Sequence, residues 1–239
     1  MAVKLSVIIP TYKEELRITR CIEESLFFFR NNPKIATFEL LFVVDVSGDK
    51  TIEIIQNYMK KNKEIRVIIN KIRQQKGGAV KIGMLAAKYD LLLFYDVDLS
   101  TPLYEINSSL ELIKEYDIVI GSRGHPESHV EKKYFKIFLS KCFSLLKFLV
   151  LGLNLYDTQC GFKMFRKTTL SIFEKQRLIS SCFDVELLFI AKKMGFKIKE
   201  KPVTWIDSDM SNFSTYKVIS SFTRDLIKIK MYDWKGYYT

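Results

Sequence analysis

Histidine is scarce: His125 and His129 are the only two in 239 residues. Their four-residue spacing would suit a metal on a helix, but Pro126 lies between them and no third ligand is evident, so a histidine metal centre is not expected. The four cysteines, Cys21, Cys142, Cys160 and Cys182, are scattered with no C-x-x-C pair. That argues against a zinc site or a disulfide framework and for reduced thiols of a cytosolic protein. Nowhere do about 18 uncharged apolar residues run together, so no transmembrane helix is expected. The nearest stretch, 137–156, is interrupted by Lys141 and Lys147. The first apolar run, Leu5–Ile9, is too short for a signal peptide and stops at Pro10. Internal repeats, low-complexity tracts and convincing linkers are absent.

Acid is also in deficit. Lys and Arg number 38 against 27 Asp and Glu, a net charge of +11. Such an excess predicts anionic company: nucleotide, phosphate, nucleic acid or an anionic membrane surface. Apolar residues make up 48%, enough for a substantial core, and the length suits one α/β domain spanning 1–239.

The most informative stretch is Leu91–Ser100, where a run of large apolar residues ends in Asp96-Val97-Asp98. The run suits a strand buried on both faces of a parallel sheet, and ligands of such sheets gather beyond the carboxyl ends of the strands. Carboxylates at i and i+2 on a strand end point the same way and repel unless a cation joins them. A divalent metal carrying a diphosphate is the usual solution, since Mg²⁺ and Mn²⁺ accept one or two carboxylates plus phosphate oxygens. The plainer alternative is that the pair only caps the helix after Pro102.

Strand patterns recur at Leu5–Ile9, Phe38–Val44, Ile65–Ile69, Leu91–Tyr95 and Asp117–Ile120, with helical patterns at 16–29, Ile52–Lys61, Ala79–Lys88 and Leu103–Tyr116 between them. Gly77-Gly78 is read as the opening of the third helix. This alternation predicts a mostly parallel sheet with helices on both faces. Acidic loops at Glu14, Asp45 and Asp96–Asp98 would line one edge of it. Beyond Val130 come a long apolar and basic helix, Lys132–Leu151, the loop Asp157–Lys163, a helix carrying Phe183–Leu188, a strand near Lys197–Trp205 and a last helix near Tyr216–Tyr232.

Ser6–Glu15, the post-strand Asp45, Lys76-Gly77-Gly78-Ala79-Val80 and the D-x-D pair together resemble the inverting family 2 glycosyltransferases of GT-A fold. Asp157–Lys163, reading D-T-Q-C-G-F-K, with Phe183–Leu187 and Pro202–Trp205, is similar to the dolichyl-phosphate β-glucosyltransferase branch. The likeness runs from about Leu5 to Tyr232. It implies a Rossmann-like nucleotide-sugar-binding half over about 1–125 and an acceptor- and membrane-facing half over about 126–239.

The resemblance further implies that Pro10, Tyr12, Glu14 and Asp45 surround the base and ribose, with Lys76 and Gly77 close to the nucleotide. Asp45 would accept the uracil imide proton. Asp98 would be the principal ligand of Mg²⁺ or Mn²⁺, with Asp96 near the ribose or diphosphate. Arg123 resembles the family's phosphate-handling arginine. Lys132 and Lys136 stand where the branch tends to carry arginine, and Asp157 and Lys163 complete the acceptor-phosphate group. Glu186 is read as a structural partner for a basic group. The chain departs from the family pattern in carrying Val44-Asp45 for paired aspartates, Val46 for glycine, Lys13 for asparagine, and Asn212 where a basic residue is common.

The implied reaction moves glucose from UDP-glucose, with inversion, onto a polyprenyl phosphate. A phosphate monoester has a second pKa near 6, so its oxygen is a nucleophile at neutral pH and no general base is needed. GDP-mannose-dependent transfer to dolichyl phosphate is the related alternative. A basic nucleic-acid-binding protein would explain the charge, but no helix-turn-helix, zinc or RNA-binding aromatic signature is present, and acidic strand ends would repel a phosphate backbone. A sugar nucleotidyltransferase would need a Gly-rich first loop, whereas Pro10–Glu15 has no glycine. The helix Lys132–Leu151 could be a plain core helix, yet Phe135, Phe138, Leu139, Phe143, Leu146, Phe148 and Leu149 interleave with Lys132, Lys133, Lys136, Lys141 and Lys147, a mixture that fits an interfacial helix on anionic lipid. The expected place is the cytoplasm, peripheral on the cytoplasmic face of a membrane, with a membrane protein as possible partner.

Overall fold

The computed structural model describes residues 2–130, 134–180, 182–206 and 215–238, without the side chains of 134–142 and 215–220. The first half runs β1 (Val3–Thr11), α1 (Ile18–Asn31), β2 (Ile35–Asp45), α2 (Thr51–Met59), β3 (Ile65–Asn70), α3 (Gln75–Leu85), β4 (Leu91–Tyr95), a short 3₁₀ turn, α4 (Ile106–Leu112) and β5 (Ile118–Ser122). The second half adds β6 (His129–Val130), α5 (Tyr134–Leu151), β7 (Phe162–Arg166), α6 (Leu170–Lys175), α7 (Phe183–Lys193), β8 (Ile198–Pro202), β9 (Thr204–Trp205) and α8 (Thr215–Trp234).

Seven strands form one sheet in the order β3-β2-β1-β4-β7-β5-β8, and β6 pairs with β9 in a small second one. All main-sheet pairings are parallel except those of β7, which runs antiparallel to both β4 and β5. The fold is therefore the mixed, mostly parallel α/β sheet that the alternating pattern predicts. Side chains alternate between two cores. Ile8, Leu41, Phe94 and Phe165 face α3, α7 and α8, while Val7, Phe42, Leu93 and Met164 face α1 and α4.

Successive strands leave β1 on opposite sides, to β2 on one and to β4 on the other. A crevice opens at such a reversal, beyond the strand ends. Here it separates the loop after β1 from the loop after β4.

Three readings of the sequence need correction. Gly77 and Gly78 lie inside the first turn of α3 rather than before it. The expected helix Leu103–Tyr116 is a 3₁₀ turn, Leu103–Glu105, followed by the shorter α4. Lys147, read as part of a lipid-facing array, is buried and donates to Thr158 Oγ1 at 3.0 Å. Leu145, Phe148 and Leu149 on the same helix are exposed. Lys132 and Lys133, and the side chains of Phe135, Lys136, Phe138, Leu139 and Lys141, lie outside the described residues. Among the described residues no helix is long and apolar enough to cross a membrane.

Candidate active site at the sheet crevice

The crevice is a cleft of about 560 Å³ whose lining includes Pro10, Tyr12, Glu14, Asp45, Lys76, Asp96 and Asp98. Seven residues scattered over 89 positions thus meet because β1, β2 and β4 are neighbours and end at the same edge. Asp96-Val97-Asp98 is a turn beyond the strand rather than its last residues. Leu99 closes it with φ 51°, its N–H donating to Asp96 O at 3.1 Å, and Asp98 Oδ1 accepts from Ser100 N at 3.0 Å. Lys13 (φ 57°), next to the cleft residue Tyr12, and Gln75 (φ 54°), the first residue of α3, share the left-handed backbone. Strain of this kind, on the order of 1–3 kcal/mol each, gathers where geometry serves a site.

Asp45 is buried and structural as well as available. Its Oδ2 accepts from the backbone N–H groups of Gln74 and Gln75 at 3.0 and 2.9 Å, and its Oδ1 from Asn70 Nδ2 at 3.0 Å. These bonds hold the loop that opens α3, and so the root of Lys76. The Lys76 ammonium grips Asp96 at 2.6 Å (Oδ1) and 2.9 Å (Oδ2). Burial works against its charge, but Asp96, Asp184 and Asp98 outweigh that and raise its pKa above the ordinary lysine value. Glu14 also shifts upward, but here burial is the chief cause, opposed by Arg17, which bonds it at 2.8 Å, and reinforced by Asp98 and Asp96.

Asp96 is held from behind by the D-T-Q-C-G-F-K loop. A Cβ built on Gly161 would stand 1.8 Å from Asp96 Oδ2, so only glycine lets that carboxylate lie where it does. Asp96, Asp98, Gly161 and Trp205 also line a second, small hollow of about 20 Å³. Arg123 sits over the Trp205 ring, 5.6 Å from its centroid. Arg123 donates through Nε and Nη2 to Asp157 at 2.6 and 3.2 Å, a bidentate and mostly buried pair. Burial opposes the Asp157 charge, yet Arg123 and the N–H groups of Arg123 and Gln159 hold its pKa well below the carboxylate range.

The remaining candidates fall elsewhere. Gly77 does not line the cleft: its missing Cβ makes room for Phe183, whose Cβ would be 2.6 Å away, so it is a packing glycine. Lys163 is on central strand β7, fully buried, with its ammonium 2.5 Å from Asp184 and 2.6 Å from Cys160 O. That charge is spent inside the protein, so Lys163 is withdrawn from the acceptor-phosphate group. Glu186 is structural, but its partners are the N–H groups of Arg177 and Leu178 and the Tyr238 hydroxyl, not a cation. The sequence reading missed Arg73, whose guanidinium stacks 4.2 Å from the Tyr12 ring at the cleft. Its signal was the basic Lys71-Ile72-Arg73 just ahead of the Lys76 motif.

Two buried charges make testable demands on stability. Asp184→Ala strands the Lys163 ammonium, which should cost about 3–5 kcal/mol and lower the melting temperature by roughly 10 °C. Lys163→Met with Asp184→Leu should recover much of that loss, and calorimetry of both variants checks it. Lys147 is the second case: burial drives its pKa down to about 8, against the pull of Asp157 and Glu200. Between that value and the unfolded lysine pKa of about 10.4 the unfolded chain holds the extra proton, so stability rises with pH. Lys147→Met removes the slope. Urea denaturation from pH 8 to 10.4 should show the wild type gaining about 1–3 kcal/mol on that variant.

Four carboxylates line the cleft, Glu14, Asp45, Asp96 and Asp98. Glu14 is bonded to Arg17 and Asp45 to the loop before α3, so the adjacent pair Asp96 and Asp98 is the candidate donor set, and among the described residues no cluster of three His, Cys, Asp or Glu could hold an ion alone. Such a donor set fits Mg²⁺ or Mn²⁺ shared with phosphate oxygens and does not fit zinc.

Residues 6–173 match the family described as Glycosyl transferase family 2. A dolichyl-phosphate beta-glucosyltransferase of Trichomonas vaginalis is 34% identical over 245 residues, covering 98% of this chain and 75% of that protein. The Drosophila melanogaster protein of that name is 33% identical, covering 95% and 74%. Glucosyl-3-phosphoglycerate synthase from Mycobacterium tuberculosis, crystallised with Mn²⁺, UDP and phosphoglyceric acid, shares the fold with a TM-score of 0.67 at 17% identity, covering 95% of this chain and 77% of that one. With its mostly parallel sheet, its cleft at the β1/β4 reversal and its post-strand acidic pair, the chain belongs to glycosyl transferase family 2 and has the GT-A fold.

Proposed function

We propose that the protein transfers glucose from UDP-glucose to a dolichyl-type polyprenyl phosphate with inversion. The observation that carries this is that Asp96 and Asp98 line both the cleft and the small hollow walled by Trp205, the ring on which Arg123 sits. The sugar–diphosphate bond would lie between them, with the base held by Tyr12, Arg73 and Asp45 and the ribose near Pro10 and Glu14. The dolichyl-phosphate beta-glucosyltransferases similar to this chain support the choice of sugar and acceptor.

Asp98, with Asp96, would hold Mg²⁺ or Mn²⁺, which when bound neutralises charge on the leaving diphosphate. Arg123 binds the acceptor phosphate: Asp157 occupies Nε and Nη2 and leaves Nη1 for a phosphate oxygen. That oxygen attacks the sugar carbon as the bond to the diphosphate breaks, and a single displacement inverts the centre. The chain's task is to align and to neutralise rather than to move a proton. Lys132 and Lys136 are further candidates for the acceptor phosphate. Both halves act as one catalytic domain, because β7 and β8 complete the sheet that carries the donor loops. The enzyme works peripherally on the cytoplasmic face, with exposed Leu145, Phe148 and Leu149 supporting contact of α5 with lipid.

A ligand bound only by the folded state raises the melting temperature. In a panel of nucleotide-sugars with Mn²⁺, UDP-glucose should stabilise most; preference for GDP-mannose would redirect the donor assignment. Attachment to anionic vesicles should be salt-sensitive, since each basic residue near the surface adds about 1 kcal/mol. Sedimentation at low and high salt measures this, and a protein that ignores the vesicles at low salt has no peripheral contact of this kind.

A further inference from the structure

The paired carboxylates already have a cation: the Lys76 ammonium, 2.6 and 2.9 Å from the two oxygens of Asp96. Asp96 cannot back away from a competitor, because Gly161 is packed directly behind its carboxylate. Nor can the base of Lys76 retreat. The two residues before it are tied to Asp45, and the one after it is packed on Phe183. Only the tip of the lysine is free to swing, and both partners are about one-third exposed, open to exchange with solvent ions.

We propose that Lys76 is the resident counter-ion of the carboxylate pair and gives up Asp96 when a nucleoside diphosphate and a divalent metal load together. This rests on the metal part of the function proposed above. A divalent ion arriving alone must break the Lys76–Asp96 pair and leave an ammonium beside a second positive charge. A diphosphate in the cleft offers that ammonium another anion, so Asp96 is released as the metal's other ligands arrive. Metal and nucleotide then tighten each other's binding, reciprocally. Lys76 is in this sense a positioning residue, which keeps the site closed to bare metal and open to the metal–nucleotide pair.

The test is Mn²⁺ binding, read from the free-ion EPR signal, with and without UDP, for the wild type, Lys76→Gln and Lys76→Arg. Melting curves confirm that each variant is folded, and Lys76→Met replaces Lys76→Gln if that one is not. The wild type should bind Mn²⁺ weakly alone and at least about tenfold more tightly with UDP. Lys76→Gln should bind Mn²⁺ alone about tenfold more tightly than the wild type does, with a smaller gain from UDP, and Lys76→Arg should behave like the wild type. Wild-type binding that tightens with UDP while Lys76→Gln alone stays unchanged or weaker overturns the counter-ion role and leaves the metal reading standing. Failure of the wild type to bind Mn²⁺ even with UDP overturns both.

Discussion

Asp98→Asn should lose at least about a hundredfold in turnover, the scale for removing one preorganised electrostatic contact at a reacting centre. The substitution is close to isosteric, and the amide oxygen can still accept the Ser100 N–H that Asp98 Oδ1 accepts now. The fold should therefore survive, with the melting temperature within about 3 °C of the wild type. What disappears is the charge facing the cleft. Mn²⁺ binding in the presence of UDP should fall with the activity. Retained turnover in Asp98→Asn would show that Asp98 is a loop residue and that the acidic pair serves the turn rather than the chemistry.

Gly161→Ala should be nearly as damaging, although glycine carries no chemistry of its own. The new methyl would lie 1.8 Å from Oδ2 and 2.5 Å from Cγ of Asp96, so the carboxylate has to rotate out of place. A displaced side chain costs only about 0.5–1.5 kcal/mol, a few degrees of melting temperature at most. Transfer should nevertheless drop about a hundredfold, because Asp96 then misses its position at the cleft and hollow. A double-mutant cycle separates this from general damage. If Gly161 acts through Asp96, Gly161→Ala on an Asp96→Ala background should change activity little further. Two losses that multiply would mean that the loop, not Asp96, is what the glycine protects.

Most of the sheet was legible in the sequence because five of its strands are apolar runs set between helical patterns, four of them largely buried. β7 was not. Its five residues, Phe-Lys-Met-Phe-Arg, include a lysine and an arginine, and the strand starts inside a motif that reads as a loop. Antiparallel insertion between β4 and β5 buries both of its faces, so Lys163 turns inward to Asp184 where charge patterning suggests a surface group. Sequence spacing carries no sign of which side of a doubly covered strand a residue faces. The same limit applies to Lys147, which looks like one lysine among several on a helix but is buried against the Thr158 hydroxyl.

The donor side was more readable, since Pro10, Tyr12, Glu14, Asp45, Lys76, Asp96 and Asp98 all lie at or just after strand ends or open a helix, where topology gathers them. Gly77 shows the opposite ambiguity: close approach to a ligand and close packing on Phe183 require the same missing side chain. Arg73 had only the weak signal of a basic stretch ahead of the Lys76 motif, and its role emerges from its stacking on Tyr12.

The central claim is tested most directly by product analysis with UDP-glucose labelled in the sugar, Mg²⁺ and a short polyprenyl phosphate. One organic-soluble glucosyl phosphate should form, with the β configuration at the sugar carbon, in the wild type and not in Asp98→Asn. Formation of lipid-linked mannose from GDP-mannose with no lipid-linked glucose, or of an α-linked product, would contradict it.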